Sequence, residues 1–134
     1  MTMIGSGEME QTVVAKIAEC NLSDKVTLVN QTGDMPNYYP KEDVYLLPSH
    51  YEGHGITAIE AQACGVKCLA SSNVPKVADC GLMHFFSLEE GTAKWAAEIQ
   101  RMLSPECYIE IDEDKLHGYS MQHTVKQIDE VYQI

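Results

Sequence analysis

Leu47-Pro48-Ser49-His50-Tyr51-Glu52-Gly53-His54-Gly55-Ile56-Thr57-Ala58-Ile59-Glu60-Ala61-Gln62-Ala63-Cys64-Gly65 reads as a buried strand, a glycine-bearing loop and a helix that starts near Gly55. Such a unit puts its loop at the carboxyl end of a parallel strand, where open α/β sheets bind ligands. Gly53 and Gly55 allow backbone N–H groups to approach an anion. The helix N-terminus adds partial positive charge, so a phosphate is the natural guest. One helical turn deeper lies Glu60, bracketed by Ile56, Ile59 and Ala63. On an inward face its carboxylate needs a hydrogen-bonding partner, because an unpaired buried charge is costly. Ribose hydroxyls would supply two donors at a suitable distance from a phosphate on the turn. The pattern also has a reading without a ligand. Many α/β folds carry a glycine-bearing turn, and an inward Glu is often bonded to a nearby backbone N–H.

Short β-rich runs alternate with helical patterns on either side of this stretch, the signature of an α/β layered fold with a mainly parallel sheet. Thr2-Met3-Ile4 ends a strand that leads through Gly5-Ser6-Gly7 into a helix carrying Val13, Val14, Ile17 and Ala18 on one face. Glu8 and Glu10 suit the positive end of that helix. Lys25 to Val29, Val44 to Leu47, Lys67 to Ala70 and His84 to Phe86 read as further strands. Trp95, Ala96, Ile99, Met102 and Leu103 keep helical spacing behind Thr92, the expected N-cap. Met121, Val125, Ile128 and Tyr132 form one stripe of a last helix, and residues 104–119 between them are polar, acidic and weakly periodic. No repeat, low-complexity segment or interdomain linker stands out, so residues 1–134 are expected to form a single domain, or part of one.

The 134 residues carry 20 acidic against 9 basic side chains, a net charge of −11. That surface repels nucleic acid and anionic lipid, so no nucleic-acid partner is expected. No apolar run approaches the roughly 20 residues that span a bilayer, and the start lacks the pattern of a signal peptide, so a cytoplasmic location is expected. The five cysteines (20, 64, 68, 80 and 107) contain no CxxC pair and are read as small core hydrophobes. The five histidines form no HExxH motif, and no metal site is expected.

The 47–65 stretch resembles the signature of the retaining GT-B glycosyltransferases of family 4, where Pro-Ser is followed by an E-x7-E motif and then Ala-x-Ala-x-Gly. Glu52 and Glu60 have that gap, and Glu60 to Gly65 continue the pattern. Ile4-Gly5-Ser6-Gly7-Glu8-Met9-Glu10, Asp24-Lys25-Val26 and Tyr39 through Leu47 fall in the same register. Gln62, Ser72-Asn73-Val74-Pro75, Phe86-Ser87-Leu88-Glu89 and Trp95 are most similar to the branch that makes bacterial capsule and exopolysaccharide. The resemblance implies a Rossmann-like, three-layer parallel sheet: the C-terminal, nucleotide-sugar-binding half of a GT-B fold.

By the same resemblance, Glu60 holds the ribose hydroxyls of a nucleoside diphosphate, and backbone groups at Gly53, His54, Gly55 and Ile56 contact the diphosphate. Glu52 lies near the donor sugar and is the catalytic candidate. Ser49 and the loop Gly5-Ser6-Gly7 line the same cleft. The implied reaction moves a sugar from a nucleotide donor, taken as a UDP-sugar, to an acceptor hydroxyl with retained configuration and no cofactor.

Three departures from the family pattern carry expectations of their own. The family's donor domain opens with a strand, loop and helix bearing the Arg and Lys that neutralise the diphosphate, and this sequence starts after them. The acceptor-binding N-terminal domain has no counterpart, so the chain alone is expected to be inactive and to need that domain or a separate chain as partner. The strands at Ile4 and Leu47 would then pair directly, accept a foreign strand or leave a gap, which predicts a homodimer or a marginally stable monomer. His54 stands where the family has an apolar residue, and Lys67 where it often has proline. Two other readings compete: a non-catalytic remnant of the same fold, and a sugar-nucleotide epimerase, which the Glu-Gly-x-Gly version of the motif disfavours.

Overall fold

The computed structural model describes residues 1–30 and 32–132. It resolves into two compact units, Met1–Met35 and Pro36–Ile134.

In the first unit, strand β1 (Thr2–Ile4) and strand β2 (Thr27–Val29) run parallel, joined by helix α1 (Glu10–Glu19). Gly5 N–H continues the ladder by donating to the Val29 carbonyl at 3.0 Å. Asn21 closes α1 in the left-handed conformation (φ 56°), while Asn21 N–H and Leu22 N–H donate back to the Ala18 and Ile17 carbonyls. Asn tolerates that conformation better than other side chains. The strand expected from Lys25 starts two residues later, because Lys25 N–H and Val26 N–H are spent on a turn to the Leu22 carbonyl. The apolar face expected on α1 is poorly covered: Val13 and Ile17 are half-buried, and Val14 and Ala18 are exposed.

The second unit holds a parallel three-stranded sheet of order β3 (Val44–Leu47), β4 (Lys67–Ser71), β5 (Met83–Phe86). Helix α2 (Ile56–Ala63) connects β3 to β4, with Gly55 at its N-cap and Cys64 at its C-cap. Helix α3 (Gly91–Leu103), helix α4 (Glu113–Gly118) and helix α5 (Met121–Tyr132) follow. The middle strand is covered on both faces, which is why it reads as a near-continuous apolar run. Leu69 packs with Trp95 and Met102 of α3, joined by Val44, Leu46, Phe86 and Ile99. Cys68 points the other way, its thiol donating to the Ala58 carbonyl of α2. This is the α/β/α layering expected from the sequence. Among the described residues all strand pairings are parallel and fall in two sheets, β1 with β2 and β3 with β4 and β5, and the expected direct pairing of the Ile4 and Leu47 strands is not among them.

Several local expectations are corrected. Thr92 lies inside α3, which starts at Gly91. The chain is capped earlier, where Ser87 Oγ accepts from Glu89 N–H and opens a 3₁₀ turn (Leu88–Glu90) that runs into the helix. The polar 104–119 segment contains α4, with Asp112 as N-cap accepting from Lys115 N–H. Met121, Val125 and Ile128 of the α5 stripe are exposed. Tyr132, its last member, lies outside the residues whose side chains are described. Cysteine is not uniformly a core residue here: Cys68 and Cys80 are buried, Cys107 is half-buried, and Cys20 and Cys64 are exposed.

Two tertiary ties hold the C-terminal part of this unit. Lys67 Nζ donates to the carbonyls of Met102 (2.9 Å) and Cys107 (2.7 Å), so a cation closes the negative end of α3. The chain then passes over Gly81, where a Cβ would sit 2.5 Å from the Glu110 carbonyl oxygen, and Asp112 N–H donates to the Cys80 carbonyl at 2.7 Å.

Candidate functional site

The loop between β3 and α2 is held from beneath. Ser71, fully buried at the end of β4, donates through Oγ to the Ser49 carbonyl at 2.5 Å, and Asn73 Nδ2 donates to the His50 carbonyl at 3.2 Å. Ser49 thus serves the loop through its backbone. Gly55 then turns the chain into α2 at φ 82°, a conformation side chains resist. A Cβ there would also lie 3.1 Å from Ala78 Cβ and 3.4 Å from Val74 Cγ1. Gly53 differs: its φ is ordinary and nothing lies within 4 Å of an added Cβ, so the structure makes no demand for glycine there.

Helix α2 starts without a side-chain cap at the positive end of its dipole, with Ala58 N–H and Ile59 N–H donating to the Gly55 carbonyl. Its far face is locked inward by Gln62. That amide is fully buried and fully used: Nε2 donates to the Ala58 (3.1 Å) and Ala78 (2.8 Å) carbonyls, and Oε1 accepts from Cys80 N–H (2.8 Å) and Leu82 N–H (3.2 Å). The sequence marked Gln62 only as a family-like residue; here it bolts α2 to the chain entering β5.

The other face of α2 opens on a cavity of about 590 Å3, within the range of small-molecule sites, roughly 300–1,000 Å3. His54, Ile56, Ile59, Glu60 and Ala63 line one side; Leu116, Tyr119 and Ser120 form the opposite wall. Tyr119 is fixed by its hydroxyl, which donates to the Val77 carbonyl at 2.7 Å, and the edge of its ring meets His54 with centroids 5.8 Å apart. This wall comes from the segment that showed weak periodicity, and no sequence signal announced it.

Glu60 is exposed rather than on the inward face expected for it. Its partner is Tyr39, whose hydroxyl donates to Glu60 Oε2 at 2.9 Å. Tyr39 is 2% exposed, and its ring stands edge-on to Tyr45, centroids 5.8 Å apart. Tyr45 in turn donates to Thr57 Oγ1 at 2.9 Å. Two tyrosines from outside α2 therefore grip positions 57 and 60, one helical turn apart on the same side. Burial, and then the hydrogen bond to Glu60, push the Tyr39 phenol well above its ordinary range; burial raises that of Tyr45. The charges of Glu52 and Glu60 add smaller contributions in the same direction at Tyr45. Glu52 is half-buried in the loop and is not part of the cavity lining.

Ser49, Glu52, Gly53, His54, Gly55, Ile56 and Glu60 all belong to the second unit. Gly5, Ser6 and Gly7 belong to the first, where they line a separate cavity of about 240 Å3 with Ile4, Met9 and Val29 among others. His50 and His54 are four residues apart, yet among the described residues no group of three His, Cys, Asp or Glu side chains is placed to hold a metal ion. No helix among them is long and apolar enough to cross a membrane.

The sequence profile of the family described as "Glycosyl transferases group 1" matches residues 1–110. Among curated proteins, the putative glycosyltransferase EpsF of Bacillus subtilis is 28% identical over 103 residues, covering 75% of this chain and 27% of EpsF. UDP-Gal:alpha-D-GlcNAc-diphosphoundecaprenol alpha-1,3-galactosyltransferase of Escherichia coli is 31% identical over 71 residues, 52% of this chain and 18% of that protein. The chain thus spans less than a third of the length of these relatives. Among solved structures, sucrose-phosphate synthase from Thermosynechococcus elongatus superposes with a TM-score of 0.81 over 98% of this chain and 37% of that one, at 23% identity, a likeness of fold. On the profile match and the E-x7-E segment set at the mouth of α2, the chain belongs to the glycosyl transferases group 1 family.

Proposed function

We propose that this chain is the donor-binding part of a glycosyltransferase that moves a sugar from a nucleotide-sugar, taken as a UDP-sugar, to an acceptor hydroxyl. The observation that supports it is the shared cavity wall of His54, Ile56 and Glu60. The uncapped start of α2 offers N–H groups and dipole charge to a diphosphate, and Glu60, one turn on, accepts hydrogen bonds from the ribose hydroxyls. In this reading Glu52 stands beside the donor sugar, the configuration is retained, and the backbone at Gly53, His54 and Gly55 lies along the phosphates. Leaving-group charge is met by the helix dipole and no bound metal is required. The acceptor site comes from an N-terminal domain or partner chain, and the product is a capsule or exopolysaccharide. The galactosyltransferase, by its name, takes UDP-Gal as donor, which supports the UDP-sugar part of the assignment.

Titration with UDP, followed by amide chemical shifts, tests the site. Shifts should cluster in residues 49–60, survive EDTA, and weaken roughly tenfold or more in Glu60→Ala, the loss expected for hydrogen bonds to a charged group. A folded chain whose spectrum is unmoved by millimolar UDP would refute the proposal.

A further inference from the structure

We infer that Tyr39 is a positioning residue for ribose recognition: its buried hydroxyl fixes the Glu60 carboxylate in the rotamer that receives the diol. The inference rests on the donor-site reading above. Glu60 is an exposed, flexible side chain, and left to itself it would lose rotamer freedom on every binding event. Tyr39 removes that freedom beforehand. Its ring is immobilised by burial and by Tyr45, and its hydroxyl reaches across 21 residues of sequence to Oε2. A carboxylate has about four lone-pair sites. One hydroxyl occupies a single site, so the group stays able to accept from two ribose hydroxyls while its direction is set.

The arrangement is specific to Glu60. The neighbouring tyrosine, Tyr45, donates to Thr57 instead, and so supplies an internal control: it grips the same helix side without touching the carboxylate. If Tyr39 only stabilised α2, removing either hydroxyl would have the same effect on ligand binding. If it orients Glu60, only Tyr39→Phe changes how well the site tells a ribose from a sugar lacking its hydroxyls.

The test compares affinities for UDP and 2′,3′-dideoxy-UDP, by isothermal titration, in the unaltered chain and in Tyr39→Phe, Tyr45→Phe, Glu60→Gln and the Tyr39→Phe/Glu60→Gln pair. The unaltered chain should prefer UDP by roughly tenfold or more, and Tyr39→Phe should cut that preference about threefold or more. Tyr45→Phe should leave it intact, and Tyr39→Phe should add nothing once Glu60 is Gln. A Tyr39→Phe chain with undiminished preference overturns the inference but leaves the donor site standing. An unaltered chain without any preference, or without binding, overturns the donor-site reading and this inference with it. Should Tyr39→Phe not fold, 3-fluorotyrosine labelling takes its place. The Tyr39 fluorine resonance should then move on adding UDP to the unaltered chain and stay still in Glu60→Gln; a resonance that ignores UDP while UDP binds overturns the inference.

Discussion

The chain contains the same local device twice. In the first unit β1 runs through Gly5-Ser6-Gly7 into α1; in the second, β3 runs through Glu52-Gly53-His54-Gly55 into α2. On paper each is a strand, a glycine loop and a helix. In the structure they differ at every level above the motif. Helix α1 has no buried residue, and Met3 and Leu28 of its strands are also exposed. Helix α2 buries Ala58, Ile59, Ala61 and Gln62, and its loop is tied down through Ser71 and Asn73. The difference teaches that a glycine loop becomes a defined site through the side chains beneath it. Those side chains lie 20 or so residues away in sequence, as Ser71 does from Ser49.

The sharpest way to break this contrast is at Gln62. Gln62→Leu keeps the volume but strands the Cys80 and Leu82 N–H groups and takes a donor from the Ala58 and Ala78 carbonyls, so it should lower unfolding stability by about 3 kcal/mol or more. Val14→Ala on α1, at a position 49% exposed, should stay within about 0.5 kcal/mol. Urea melts of the two variants decide it, and equal losses would mean that α1 is far better packed than its exposure indicates. Next in size is Gly55→Ala, which combines a left-handed φ with the Ala78 contact and should lose about 2 kcal/mol. Gly7→Ala, with open space around it, should be near neutral by the same melts. The last comparison changes no stability at all. Burial holds the Cys68 thiol neutral until about pH 12, whereas Cys20 at the end of α1 is exposed. Maleimide labelling read by mass spectrometry at pH 8 should modify Cys20 rapidly and Cys68 only on unfolding. Labelling of Cys68 in the native chain would show that β4 opens.

How much of this was legible in the sequence follows the same division. The five strands among the described residues were found, because each carries an apolar run between turn signals. Strand β2 was started two residues early, where a turn takes the Lys25 and Val26 N–H groups, and β4 and β5 were each read one residue short, missing Ser71 and Met83. The 47–65 stretch could be read as a strand, loop and helix since its elements are contiguous in sequence. Glu60 was expected to need a partner because it was read as inward; it is exposed, and the partner it has, Tyr39, is joined to it by the fold alone. Its orientation was misjudged because bracketing apolar neighbours such as Ile56 turn out to face the cavity, with Ile56 itself 61% exposed. Thr92 has the chemistry of an N-cap, yet the 3₁₀ turn begun by Ser87 starts the helix first. Helix α4 is six residues long and too short to display a period, so the far wall of the cavity stayed hidden.

The crossing at Gly81 has a consequence for how such a pocket changes over evolutionary time. Leu116, Tyr119 and Ser120 follow in the chain after residues 110–112, which are pressed against a position without a side chain. Selection can therefore rewrite the wall, its length and its polarity, without disturbing the α2 side of the cavity, provided that residue 81 remains glycine. The two sides of the cavity can vary separately, and a single bare Cα keeps them in register.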